Sequence, residues 1–129
     1  MPVKTAKPAP ADLFPEVREL LLPYAKHFTV KGDSAKGYSL YAVGEFELFG
    51  RTFPEIFFAS AQPMKSFVGF YFFPIYSHPK AFTLDPDVKK LLKGKSCFHI
   101  KELNPPLKKK LAALLKEGFA LYRKCGFVS

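Results

Sequence analysis

The chain has 129 residues, 48% hydrophobic and 24% charged, which suits one folded domain. No apolar run reaches the roughly 20 residues of a membrane helix, and no hydrophobic stretch follows Lys4 and Lys7 to make a signal peptide. Two cysteines, Cys97 and Cys125, match no zinc or redox spacing and cannot make a disulfide framework, so the chain is read as cytoplasmic with reduced thiols and no membrane partner.

Residues 1–11 hold Pro2, Pro8 and Pro10 among alanines and lysines and read as a flexible or extended tail; one domain is expected over 12–129. Asp12 is placed to cap a first helix, with Pro15 in its first turn. Phe14, Val17, Leu20, Leu21 and Tyr24 fall on one side of it, and Pro23 stops or kinks it near Leu22. Residues 27–31 read as a short strand or loop and 32–37 as a turn. Two strands follow, 38–43 and 45–49, parted by Gly44; in the second, Phe46 and Leu48 face away from Glu45 and Glu47.

Residues 55–61 and 66–74 make a central hairpin with its turn at 62–65. The second strand is apolar on both sides, with Val68, Phe70 and Phe72 on one and Phe67, Gly69, Tyr71 and Phe73 on the other. Such a strand belongs inside a sheet, and each fully buried Phe contributes about 1.5–3 kcal/mol. A turn centred on Pro63 and Met64 sets Ala59 opposite Val68, Phe57 opposite Phe70 and Phe58 opposite Gly69. Gly69 then leaves a bulge or a notch over which another group can sit.

Residues 75–83 read as irregular. A short helix opens at Asp85 and Pro86 and closes on lysines before Gly94. The last strand spans 96–102, with Phe98 and Ile100 inward and Cys97, His99 and Lys101 on the other side. Asn104-Pro105-Pro106 opens a closing helix to about Lys124, apolar along Leu107, Leu111, Leu114, Leu115, Leu121 and Tyr122, with Gly118 allowing close packing and Gly126 as its stop. This order predicts an α+β two-layer sandwich: an antiparallel sheet of about five strands with the N- and C-terminal helices on one face.

The helix around Val17-Arg18-Glu19-Leu20, the aromatic strand before Tyr76, the run from Leu91 through Ile100 and the leucine-rich final helix together resemble the YdhG-like family of small bacterial domains of unknown function, over about residues 12–126. Members of that family have been likened to frataxin, a carrier of iron. The resemblance implies helices on one side of an antiparallel sheet, and iron binding. Against the iron role, the first helix offers only Asp12, Glu16 and Glu19, and the whole chain has 11 acids against 20 bases.

Several residues carry chemistry. Cys97 and His99 point the same way on one strand and suit a borderline metal, or else are a buried thiol and a hydrogen-bonded histidine. His78, at the end of the central strand, is a candidate acid or base without a local serine, cysteine or carboxylate to complete a nucleophilic set. The net charge of +9, with Lys89, Lys90, Lys108 and Lys109 on the C-terminal helices, fits a polyanion or nucleic-acid binder, or simply a solvated surface. No known enzyme motif is present, which favours a binding role over catalysis and leaves open a site assembled from distant residues. Two helices shelter one sheet face only. The other, around Phe58, Phe67, Gly69, Tyr71 and Phe73, is expected to carry an aromatic groove for a small ligand or a homodimer interface, unless loops cover it.

Overall fold

A computed structural model describes residues 9–128. The first helix, α1 (Pro10–Leu21), starts earlier than expected, from extended backbone at Ala9. Asp12 is therefore not its cap but sits in the first turn, where the helix dipole favours an acid. Pro10 and Ala11 are helical rather than part of a tail, and residues 1–8 of that expected tail lie outside the described residues. Leu13, Phe14, Val17 and Leu21 are buried. A 3-10 turn, Leu22–His27, follows where Pro23 interrupts the helical hydrogen bonds.

Six strands form one antiparallel sheet: β1 (Thr29–Ser34), β2 (Gly37–Leu48), β3 (Arg51–Pro63), β4 (Val68–Phe72), β5 (Leu92–Lys93) and β6 (Cys97–Ile100), in the order β1-β2-β3-β4-β6-β5. The count exceeds the five expected because β5 is only two residues long. Gly44 does not divide two strands. β2 runs through it, and a Cβ there would stand 2.8 Å from the Phe46 ring, so the glycine makes room for that ring.

The central hairpin turns two residues later than its prolines imply. Pro63 stays in the strand, opposite Val68, and the turn closes from the Met64 N–H to the Phe67 carbonyl at 2.7 Å. Ala59 consequently pairs with Phe72 and Ala61 with Phe70, four positions from the expected register. Because the shift is even, β4 keeps its facing. Small residues still lie opposite large ones.

A β-bulge overturns a second expectation. Leu40 pairs with Ala59 but Tyr41 with Phe57, which leaves Phe58 as an extra residue on β3. The alternation restarts there. Phe58 turns inward and is fully buried among Tyr24, Phe28, Phe72 and Tyr122, stacked on Phe28 at 4.4 Å. Phe57 turns outward beside Tyr41 and Phe73. Phe58 is therefore a core residue and no part of a second-face site.

Short elements connect β4 to β5: α2 (Pro74–Ser77) and a 3-10 turn (Pro79–Ala81), in the stretch read as irregular, and then α3 (Pro86–Lys89), the short helix expected from Asp85 and Pro86. Asp85 caps α3 by accepting from the Asp87 N–H at 2.8 Å. Gly94, expected to stop α3, instead forms the β5–β6 turn with φ +80°. The closing helix, α4 (Pro105–Cys125), is capped by the Asn104 side chain, which accepts from the Leu107 N–H at 2.9 Å, and stops at Gly126 with φ +84°. Both long helices lie on one face of the sheet, α1 over β3 and β4 and α4 beside it, so the chain is the α+β two-layer sandwich expected. No described helix is long and apolar enough to cross a membrane.

Two contacts fix α4 to the sheet. Gly118 sits against Phe72, where an added Cβ would stand 2.4 Å from the ring tip. The Tyr122 hydroxyl donates at 2.6 Å to the carbonyl of Phe57, which stands beside the bulge. Gly118→Ala gains about 1 kcal/mol of helix propensity but overpacks a fully buried ring, which costs about 1–3 kcal/mol; net destabilisation is expected as a lower urea midpoint. Tyr122→Phe leaves a buried carbonyl unsatisfied and is expected to cost about 1–3 kcal/mol. Burial raises the Tyr122 hydroxyl far above its ordinary value. Its share of stability is thus complete below about pH 10 and drains away as pH climbs further. Urea midpoints above pH 10 are expected to fall more steeply for the parent chain than for Tyr122→Phe.

Candidate functional site

The sheet face opposite the helices is lined by rings. Tyr41, Phe57, Phe67 and Tyr71 are half-buried and lie outside the core cluster. Five rings follow one another across it: Tyr41 to Phe57 at 5.2 Å, Phe57 to Phe73 at 6.2 Å, Phe73 to Tyr76 at 5.4 Å and Tyr76 to Phe49 at 5.9 Å. Lys31 lies over Tyr41 at one end, 4.7 Å away, and Lys95 lies over Tyr76, next to the other end, at 5.6 Å. Val43, Phe49 and Tyr76 are 59%, 56% and 41% exposed.

Beside this row the face is filled by its own side chains. The Tyr71 ring lies over Gly69, 3.1 Å from where a Cβ would be. The notch expected at Gly69 is therefore occupied by Tyr71. Phe67 stacks on His99 at 3.9 Å with the rings 13° from parallel. Aromatic pairs of this spacing are worth about 0.5–1.5 kcal/mol beyond their buried area.

Cys97 lies opposite Tyr71 and His99 opposite Gly69, on the ring-bearing face as expected. Burial pushes the Cys97 thiol up, and its neighbour Tyr71 pulls it part of the way back. Among the described residues no group of three His, Cys, Asp or Glu comes together to hold a metal, so Cys97 and His99 have no third ligand there.

Charges of opposite sign flank the rings. Glu45 and Glu47, facing away from Phe46, extend along the β2 arm, and Glu55 pairs with Lys31 on the β1 side. Lys93, paired in register with Cys97, and Lys101 stand on the β5–β6 side. Of the C-terminal lysines, Lys90 lies 3.7 Å from Asp87, while Lys110 bridges Asp85 and Asp87 at 3.1 and 3.0 Å and holds the Asp87 carboxyl below the usual range. Lys89, Lys108 and Lys109 make no ion pair among the described residues.

At the far end of β4, the expectation that His78 lacks nucleophilic neighbours is corrected. Ser77 Oγ is 2.8 Å from His78 Nδ1, and Cys125 Sγ is 3.7 Å from His78 Nε2. Ser77 also donates to the Pro74 carbonyl at 3.4 Å. With neutral His78 one proton arrangement serves all three contacts: the thiol donates to Nε2, Nδ1–H donates to Ser77, and Ser77 donates to Pro74. The adjacent serine was visible in the sequence; the cysteine, 47 residues away, was not. The geometry has the form of an oriented base and a thiol. The electrostatics oppose it, because Cys125 ends α4, where carbonyls gather and disfavour a thiolate. Burial also raises its thiol pKa.

Both cysteines should therefore be sluggish nucleophiles at neutral pH, since the thiolate is the reacting form. Iodoacetamide is expected to alkylate each more slowly than a free cysteine at pH 7.5, with rates climbing through pH 9 and above. A fast plateau at pH 7 for Cys125, abolished by His78→Ala, would instead mark a paired thiolate.

No protein-family model matches the chain, and neither a curated protein nor a solved structure matches it.

Proposed function

We propose that this is a non-catalytic binding domain, of the class the YdhG-like resemblance implies, and that its working surface is the helix-free sheet face. The occupant of that face is a second copy of the chain. The observation that carries this reading is the row of five half-buried or exposed rings on the side away from α1 and α4. Apolar surface of that kind on a small domain usually meets a partner.

The charges favour a copy of the same chain. A two-fold axis along the strands lays the β1–β2 side of one sheet over the β6–β5 side of the other. The β1–β2 side of one protomer, with Glu45 and Glu47, then faces the β6–β5 side of its partner, with Lys93 and Lys95, and the rings lie between. A single-stranded nucleic acid also stacks on aromatic rows, but Glu45 and Glu47 on the same face repel its phosphates, and Glu55 already ties up Lys31. The lysines on α3 and α4 give a polyanion less than the sequence offers, because Lys90 and Lys110 are tied to Asp85 and Asp87. Iron carriage finds less support still, since the acids of α1 and the Cys97–His99 pair assemble no three-ligand group among the described residues.

Sedimentation equilibrium between about 5 and 500 μM is expected to show a reversible dimer of the 14.6 kDa chain. Tyr71→Glu should weaken it at least tenfold, equivalent to about 1.4 kcal/mol. Glu47→Lys and Lys93→Glu should each weaken it, and the two together should restore it. A chain that stays monomeric throughout this range, or a dimer indifferent to all these changes, contradicts the proposal. Retention of a short oligonucleotide by the parent chain but not by Tyr71→Glu points to the nucleic-acid occupant instead.

A further inference from the structure

A second recess lies away from the ring row, between the α2–α3 connection and β5. It is a cleft of 660 Å³ open to solvent, within the range of small-molecule sites. Ile75, Phe82, Leu84 and Leu92 supply apolar walls, and Tyr76 forms part of the rim. Phe82 is anchored edge-on to the buried Phe72 at 5.5 Å, so this wall is continuous with the core. That continuity makes the recess a formed feature rather than a gap between loose side chains.

The charged lining is of one sign. Lys89 and Lys95 are its only charged residues, no carboxylate joins them, and neither makes an ion pair among the described residues. The left-handed Gly94 in the β5–β6 turn places Lys95 at the mouth, its ammonium 5.6 Å from the Tyr76 ring. The other sizeable cleft, 690 Å³ beside the start of α4, differs in mixing Asp87 and Glu102 with Lys90, Lys93 and Lys101. An apolar recess with two uncompensated cations at its mouth complements a ligand with the reverse arrangement: a greasy body and one acidic head.

We infer that the cleft between the α2–α3 connection and β5 binds a small amphipathic carboxylate, with its apolar body against Phe82, Leu84 and Leu92 and its carboxylate between Lys89 and Lys95. The ammonium groups give charge-assisted hydrogen bonds to the head, and the Tyr76 ring covers a flat body by stacking. This site shares Tyr76 and Lys95 with the proposed self-association face and is otherwise separate from it.

The probe is 2-naphthoate, titrated into the 15N-labelled full chain and followed by amide chemical shifts. Saturable shifts are expected at Tyr76, Thr83, Leu84 and residues 92–95. The uncharged 2-naphthamide should bind about tenfold more weakly or worse, and so should naphthoate to the Lys89→Gln/Lys95→Gln double variant. Both lysines are exposed, so the double variant is expected to keep the parent spectrum elsewhere. Equal affinity for the acid and the amide, undiminished binding by the double variant, no saturable shift at millimolar probe, or shifts centred on Tyr71 and His99 would each overturn the inference. Because dimerisation is read separately by sedimentation, a failure here leaves the sheet-face proposal standing, and the reverse also holds.

Discussion

The hydrogen bond from the Tyr122 hydroxyl to the Phe57 carbonyl joins the last helix to the point where β3 changes its facing. An uninterrupted ladder would pair that carbonyl with a neighbouring strand. Here the extra residue, Phe58, follows it, and the buried Tyr122 hydroxyl donates to it. An unsatisfied carbonyl there costs about 1–3 kcal/mol, so the bulge and the placement of α4 stabilise one another. The two faces of the sheet follow from this arrangement. Phe58 enters the core and completes a ring cluster with Phe28, Phe72 and Tyr122, while Phe57 is sent outward to link Tyr41 with Phe73.

The second face gains its character from that sorting. With helices on one side only, β4 still places Tyr71 outward, and the flanking Phe67 and Phe73 join it there. Some of this apolar surface is sheltered by the face itself, with Tyr71 folded over Gly69 and Phe67 flat on His99. The remainder forms a row with lysines over two of its rings, Tyr41 and Tyr76. The proposed self-association and ligand binding both rest on one feature of composition: the chain has 15 Phe and 6 Tyr, more rings than its two long helices can cover.

Much of the fold was legible because its signals are local. Asn104 and Asp85 both cap as their spacing implies, Gly126 closes α4, Gly118 admits Phe72, and the central strand is inside the sheet. The facing of Phe57 and Phe58 was not legible. Two adjacent phenylalanines read alike whichever turns inward, and only the register against Leu40 and Tyr41 decides between them. Pro63 misled in a related way, since at the end of a strand its missing N–H costs the ladder nothing. The His78–Cys125 contact joins the end of β4 to the end of α4, so sequence spacing carries no trace of it. The cleft at Phe82 and Lys95 went unread because it is assembled from the short connecting elements between Ile75 and Lys95, whose arrangement no periodicity reveals.

The most direct measurement is the relaxation of ring protons by a soluble gadolinium chelate in dilute solution. With the faces sorted as described, the rings of Phe57, Phe67 and Tyr71 relax strongly and that of Phe58 stays protected. Strong relaxation at Phe58 with protection at Phe57 would mean that β3 carries no bulge. Protection at all four would mean that the face is covered, and either result would remove the basis for a ring-lined binding surface.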